Sequence, residues 1–171
     1  LFMFAIYGYG SAVQVLLGNT LGEGRIDQAI EESNYHFGLS AILSIILVIG
    51  LLLFSKPLVT LFALKDPIAN ALATSLMYVF AIKLSMRLFN FVIFCILRSG
   101  GDASIIQFLD SGMVWMVGLP LAFISVNILG ISSIVIVLLI TQLEQLVRLV
   151  FGLKRVFTYI WAKDLTTLVS K

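Results

Sequence analysis

The stretch Phe37-Gly38-Leu39-Ser40-Ala41-Ile42-Leu43-Ser44-Ile45-Ile46-Leu47-Val48-Ile49-Gly50-Leu51-Leu52-Leu53-Phe54 contains no charged side chain. Wound as an α-helix at about 1.5 Å per residue it is roughly 27 Å long, close to the ~30 Å hydrocarbon core of a bilayer. It has no polar face, so a water-soluble bundle could not place it at its surface. The whole chain shares this character. Hydrophobic residues make up 60% and charged residues 12% of its 171 residues, against about 45–50% and about 25% in ordinary soluble domains. A soluble domain of this size cannot hide so much apolar surface. The expected class is an all-α integral membrane protein.

Working outward, five crossings are expected, over about 1–18, 37–54, 75–97, 103–126 and 131–157. The first run opens at Leu1-Phe2-Met3-Phe4-Ala5-Ile6, already apolar, with no initiator Met and no signal-peptide pattern. The chain is therefore expected to be a piece of a longer protein. Gly18, Gly22, Gly24, Arg25, Asp27, Glu31 and Glu32 punctuate the first connection. Lys56-Pro57 is expected to end the second span, a short amphipathic piece Leu58–Leu64 to follow, and Asp66-Pro67 to start the third helix. Arg98-Ser99-Gly100-Gly101-Asp102 reads as a tight polar turn. No residue between Asp110 and Glu144 is charged. That run is too long for one crossing, so Asn127 and Gly130 divide it, and Pro120 predicts a kink in the fourth helix.

Five crossings put Arg25, Arg98, Lys154, Arg155, Lys163 and Lys171 on one side and Lys56 and Lys65 on the other. The side richer in Lys and Arg is expected to be cytoplasmic. This places the C-terminus inside the cell, with Trp161 at interfacial depth, in a plasma membrane such as a bacterial inner membrane.

Ionisable groups inside the hydrocarbon layer must pair, snorkel or face water. Lys83 and Arg87 are four residues apart and share one helix face. Arg87 lies roughly 16 Å from Arg98 along the helix, which makes snorkelling awkward and favours a water-accessible cavity or a buried pairing. Asp110 shares a face with Gln107 and could be a proton or cation ligand, or a partner for Lys83 or Arg87. Lys83, Arg87 and Asp110 are the candidate substrate- or ion-pathway residues. Glu144 and Arg148 have the spacing and order of an i,i+4 structural ion pair.

Other features point to packing. His36 reads as an interfacial histidine, and Phe89, Phe91 and Phe94 as helix-packing and lipid-contact residues. The glycines at 18, 22 and 24 lack the strand and Lys-Ser/Thr that a phosphate loop requires. No Ser or Cys pairs with His as a nucleophile, so no catalytic residue is expected and the chain does not read as an enzyme. The single Cys95 excludes a disulfide framework or zinc cluster, and no metal site is expected. No basic stripe suggests nucleic acid.

Leu17-Gly18-Asn19-Thr20-Leu21-Gly22-Glu23-Gly24-Arg25, followed by Ala29, resembles a loop pattern of the MATE (multidrug and toxic compound extrusion) family. Ile96-Leu97-Arg98-Ser99-Gly100-Gly101-Asp102 resembles the turn after that family's tenth helix. Asp110, Trp115 and Gly118-Leu119-Pro120-Leu121-Ala122 resemble its eleventh helix. Glu144, Arg148 and Trp161-Ala162-Lys163-Asp164-Leu165-Thr166 are similar to its twelfth helix and tail. The resemblance implies helices eight to twelve of a twelve-helix transporter, an incomplete second lobe whose N-terminal lobe belongs to the same protein. It further implies Na⁺- or H⁺-coupled antiport of small organic, often cationic, amphiphilic cargo, with no cofactor beyond the coupling ion. In one respect the chain departs from the family. Where some members carry an acid on the tenth helix, it carries Lys83 and Arg87, which directs attention for coupling to the other lobe. Two alternatives are a flippase for lipid-linked saccharide or peptidoglycan precursors, which the basic pair would suit, and a non-transporting membrane remnant.

Overall fold

A computed structural model describes residues 2–62 and 66–163. Leu1, Ala63, Leu64, Lys65 and the tail from Asp164 to Lys171 lie outside the described residues. Five long helices run in alternating directions: α1 (Phe2–Gly22), α2 (Ile26–Thr60), α3 (Pro67–Ser99), α4 (Ala103–Ile128) and α5 (Ile134–Phe157). There is no strand among the described residues. The last four are long and apolar enough to cross a membrane. α1 carries no charge, but Tyr7-Gly8-Tyr9-Gly10-Ser11 and Gln14 interrupt its apolar run.

The helix boundaries follow from local chemistry. Asp66 caps α3, its Oδ1 accepting from the Ile68 N–H at 2.9 Å, and Pro67 takes the first position, where a missing N–H costs nothing. α3 ends where Gly101 turns at φ 77°. There the N–H of Asp102 bonds the Leu97 carbonyl and that of Gly101 bonds the Arg98 carbonyl, a Schellman closure that satisfies the last free carbonyls. Gly24, at φ 75°, closes α1 in the same way, with Arg25 N–H on the Thr20 carbonyl. Gly130, at φ 62°, separates α4 from α5 where the sequence divides the long uncharged run.

Two boundaries differ from expectation. α2 begins at Ile26 rather than near Phe37, and it runs through Pro57 to Thr60. Its polar N-terminal third is helical because it has partners. Arg25 donates to Gln28, Gln28 to Glu32, and the Thr20 hydroxyl of α1 to Glu32 at 2.9 Å. Pro57 falls within the last turns, where the helix is ending and few later residues depend on it. At 35 residues α2 is about 52 Å long, so its ends project beyond the ~30 Å apolar layer. His36 is thus an internal residue of α2. Its carbonyl accepts from the Tyr9 hydroxyl at 2.9 Å.

α3 is the central helix, packed between α1, α2 and the second half of α5. Leu84, Leu88, Val92, Ile93, Ile96 and Leu97 of α3 are fully buried, as are Ile6, Val13, Leu17 and Leu21 of α1. In lipid, apolar burial does not drive helices together, so close contact at small residues has to. α2 buries Ala29, Ser33, Ser40, Ser44 and Ser55 along one stripe, and the Ser44 and Ser85 hydroxyls meet at 2.6 Å. A Cβ on Gly10 would overlap the Phe91 ring, and one on Gly152 would stand 2.8 Å from Ile93. The opposite faces, including Ile42, Ile45, Ile46 and Ile49 of α2 and Trp115, Met116 and Phe123 of α4, are exposed.

Trp161 packs inside the bundle at the end of α5. It is fully buried, its indole N–H donates to the Val156 carbonyl at 3.0 Å, and its own carbonyl fits the space left by the missing side chain of Gly100. Nearby, Arg155 donates to Asp102 at 2.7 Å. This end of the bundle gathers Arg25, Arg98, Lys154, Arg155 and Lys163, while Lys56 lies at the other.

Candidate functional site

The second half of α5, Leu143–Phe157, is strongly amphipathic, and it turns Glu144, Gln145 and Arg148 inward. Just before it the helix tightens. Thr141 Oγ1 and Gln142 Nε2 both donate to the Leu138 carbonyl, at 2.8 and 2.9 Å, and the Gln145 N–H bonds the Gln142 carbonyl three residues back. This joint separates an apolar first half from a polar second half.

Arg148 is the hub of the polar half. Its side chain is only 5% exposed, and its Nε donates to Glu144 Oε1 at 2.9 Å; Nη2 contacts the same oxygen. From the other side, Nη1 donates to Asp110 Oδ1 at 2.9 Å and Nη2 to the Asp110 backbone carbonyl at 3.0 Å. The guanidinium also lies over the Phe94 ring, 5.8 Å from its centroid. Gln145 Nε2 donates to Glu144 Oε2 at 3.0 Å, and Asn90 Nδ2 donates to both the carbonyl and Oε1 of Gln145 at 3.1 Å.

The geometry of α4 makes the second contact possible. Its backbone is π-helical over Phe108–Gly112, Val114–Gly118 and Ile124–Ile128. Such wide turns shift the hydrogen-bond register and can leave carbonyls free for other partners. Asp110 sits in the first of these. Pro120 falls in the short α-helical segment between the second and third, so the irregularity expected at one proline is spread along the helix. Gly118, from the same motif, lets the Glu144 stem pass, with 3.5 Å between a notional Cβ and Glu144 Cγ.

A cavity of about 230 Å³ opens beside this network, lined by Tyr7, Arg87, Asn90, Arg98, Asp110 and Arg148, among others. Arg87 Nη2 donates to the Tyr7 hydroxyl at 3.0 Å, and Tyr7 stands edge-on to Phe91, ring centroids 4.9 Å apart. Arg87 Nε and Asn90 Oδ1 are buried without partners.

Arg87 and Asp110 thus line one cavity, and the sequence candidate Lys83 does not join them. It lines a larger, apolar cavity of about 550 Å³ with Val59, Met77, Phe80, Leu138 and Gln142, whose buried Oε1 has no partner. Asp110 pairs with Arg148 rather than with Lys83 or Arg87. Glu144 and Arg148 make the contact their spacing predicts, and Asp110 extends it to a triad. Tyr7, Asn90, Gln142 and Gln145 were not singled out in the sequence. The signal for Asn90 was its place three residues after Arg87 in an otherwise apolar run.

A polytopic bundle of apolar helices with a guanidinium-centred polar core is, by class, a multi-pass membrane protein. A family model described as MatE matches residues 1–124, and the chain belongs to that family of transporters. It is similar to a protein of Bacillus subtilis (strain 168) described as "Uncharacterized transporter YisQ", with 32% identity over 124 residues. The match covers 68% of this chain and 26% of that protein, so the chain spans about a quarter of its relative's length. No solved structure matches it.

Proposed function

We propose that this chain forms helices eight to twelve of a Na⁺- or H⁺-coupled exporter of organic amphiphilic compounds, working with an N-terminal lobe of the same protein. The observation that carries the reading is the polar cavity at the Arg148 network, set in a wall of apolar helices. Charged and amide groups at that depth are tolerated when they line a water-filled path. Cargo would bind near mid-membrane between the lobes, which rock to expose it to either side.

Asp110 is the mobile element in this reading. Its side chain is 61% exposed while its partner Arg148 is buried, so a proton or Na⁺ reaching Asp110 competes with the guanidinium. Such a ligand biases the two states only through different affinity for each, and the wide turns of α4 around Asp110 give the helix a place to yield. The basic end, with Arg98, Arg155 and Lys163, lies in the cytoplasm by the Lys/Arg rule, in the plasma membrane. Asp110→Asn in the full-length protein is expected to reduce efflux with expression unchanged. Undiminished efflux removes Asp110 from the mechanism.

A further inference from the structure

We infer that the cavity beside Arg87 receives a carboxylate or phosphate group, and that the transported compound is an organic anion. This rests on the transporter reading and names its substrate class.

Three guanidinium groups and one carboxylate line the cavity. Arg148 is already paired, with both Asp110 and Glu144. Arg98 is exposed at the end of α3, where water can solvate it. Arg87 is half-buried, its Nε wholly enclosed, and it has no ionic partner among the described residues. It lies roughly 16 Å deeper along the helix, and among the described residues no carboxylate lies within 4.0 Å of it. A guanidinium keeps its charge and cannot neutralise itself by losing a proton. Its one hydrogen bond, to Tyr7, fixes it from one side and leaves Nε buried and free. The remaining donors have the planar fork that matches an oxyanion.

A second unpartnered group lies one turn along the same face. Asn90 is 3% exposed, and its Nδ2 is committed to Gln145, so Oδ1 is left to accept from a hydroxyl, an N–H or a water. Phe91 and Phe94 supply an apolar wall. A cationic cargo is poorly served here. Of the aromatic rings that line the cavity, those of Tyr7, Phe91 and Phe94, that of Phe94 is covered by Arg148, and the charge of Arg87 would repel a cation.

The test uses the purified full-length transporter with benzoate, phenyl phosphate and tetraphenylphosphonium as probes, read by calorimetry and by thermal shift. Both anions are expected to bind, Arg87→Gln to weaken them about tenfold or more, and Arg87→Lys, monodisperse by size exclusion, to fall between. Competition by dihexanoyl phosphatidic acid at lower concentration than phenyl phosphate would assign the phosphate to a lipid headgroup; the reverse order assigns it to a soluble solute. Preferential binding of tetraphenylphosphonium, unchanged by Arg87→Gln, overturns the inference. So does absence of anion binding with a lower ligand-free melting temperature in Arg87→Gln, which would mean that Arg87 pairs with a carboxylate of the other lobe. Ion-driven flux of a cationic dye without anion binding defeats this inference and spares the transporter reading. Anion binding without ion-driven flux of any solute keeps the anion site but defeats the transporter reading, and with it the claim that the anion is transported.

Discussion

Arg148 of α5 holds Asp110 of α4 twice, through the carboxylate at 2.9 Å and through the backbone carbonyl at 3.0 Å. The second contact is to the main chain of a π-helical turn, so it ties the position of α5 to the shape of α4. The first can be broken by anything that neutralises or captures the Asp110 carboxylate. One side chain therefore links a titratable group to the relative placement of two helices.

Removing the hub should be worse than removing both ends of the pair beneath it. Arg148→Met leaves Glu144 buried without its cation, a loss of about 3–5 kcal/mol for a broken buried pair. Adding Glu144→Leu is expected to recover most of it, because a well-packed apolar pair can replace a buried ionic one. Thermal denaturation of the full-length protein and both variants measures this. Additive losses would show that the two residues do not act as a pair.

Asp110 should behave differently. Because its side chain is largely exposed, Asp110→Asn is expected to cost under about 1 kcal/mol of stability. The melting temperature should hardly move while efflux falls, which separates a functional role from a structural one.

Gly100 and Trp161 give a packing prediction. A methyl group at Gly100 would overlap the Trp161 backbone, and overpacking of a close contact costs about 1–3 kcal/mol. Gly100→Ala should lower the melting temperature and expression. Gly8→Ala, with open space around the added carbon, should lower neither.

The Asp102–Arg155 pair joins the α3–α4 turn to the end of α5, with side chains 14% and 24% exposed. Asp102→Ala leaves a partly buried guanidinium without its acceptor, at about 1–3 kcal/mol. Faster proteolysis after Arg155 or Lys163 would report loosening of this end; an unchanged rate would show that the pair contributes nothing.

Much of this architecture is legible in the sequence, and the reasons are local. Asp66-Pro67 writes the start of α3, and Gly24, Gly101 and Gly130 mark turns that demand a positive φ. The i,i+4 spacing of Glu144 and Arg148 announces their contact. What the sequence hides depends on neighbours it cannot display. The polar segment from Ile26 to His36 reads as a loop until Thr20 and Gln28 are seen supporting Glu32 within a helix. Lys83 and Arg87 share a face of α3, yet that face meets α2 and the start of α5 at one level and α1 at the next, so the two cations enter different cavities. Asp110 finds Arg148 because α4 and α5 are antiparallel neighbours, a matter of tertiary register. Tyr7 and Asn90 gain meaning only once α1 and α5 are packed on α3.

The most direct test is whether this polar interior is wet. In full-length protein carrying Cys95→Ala, single cysteines at Tyr7, Asp110 and Ile46 would be exposed to a membrane-impermeant maleimide from either side of the membrane. Labelling at positions 7 and 110, with none at position 46 on the exposed apolar face of α2, is the expected result. Equal labelling at all three, or none at 7 and 110, would contradict the account.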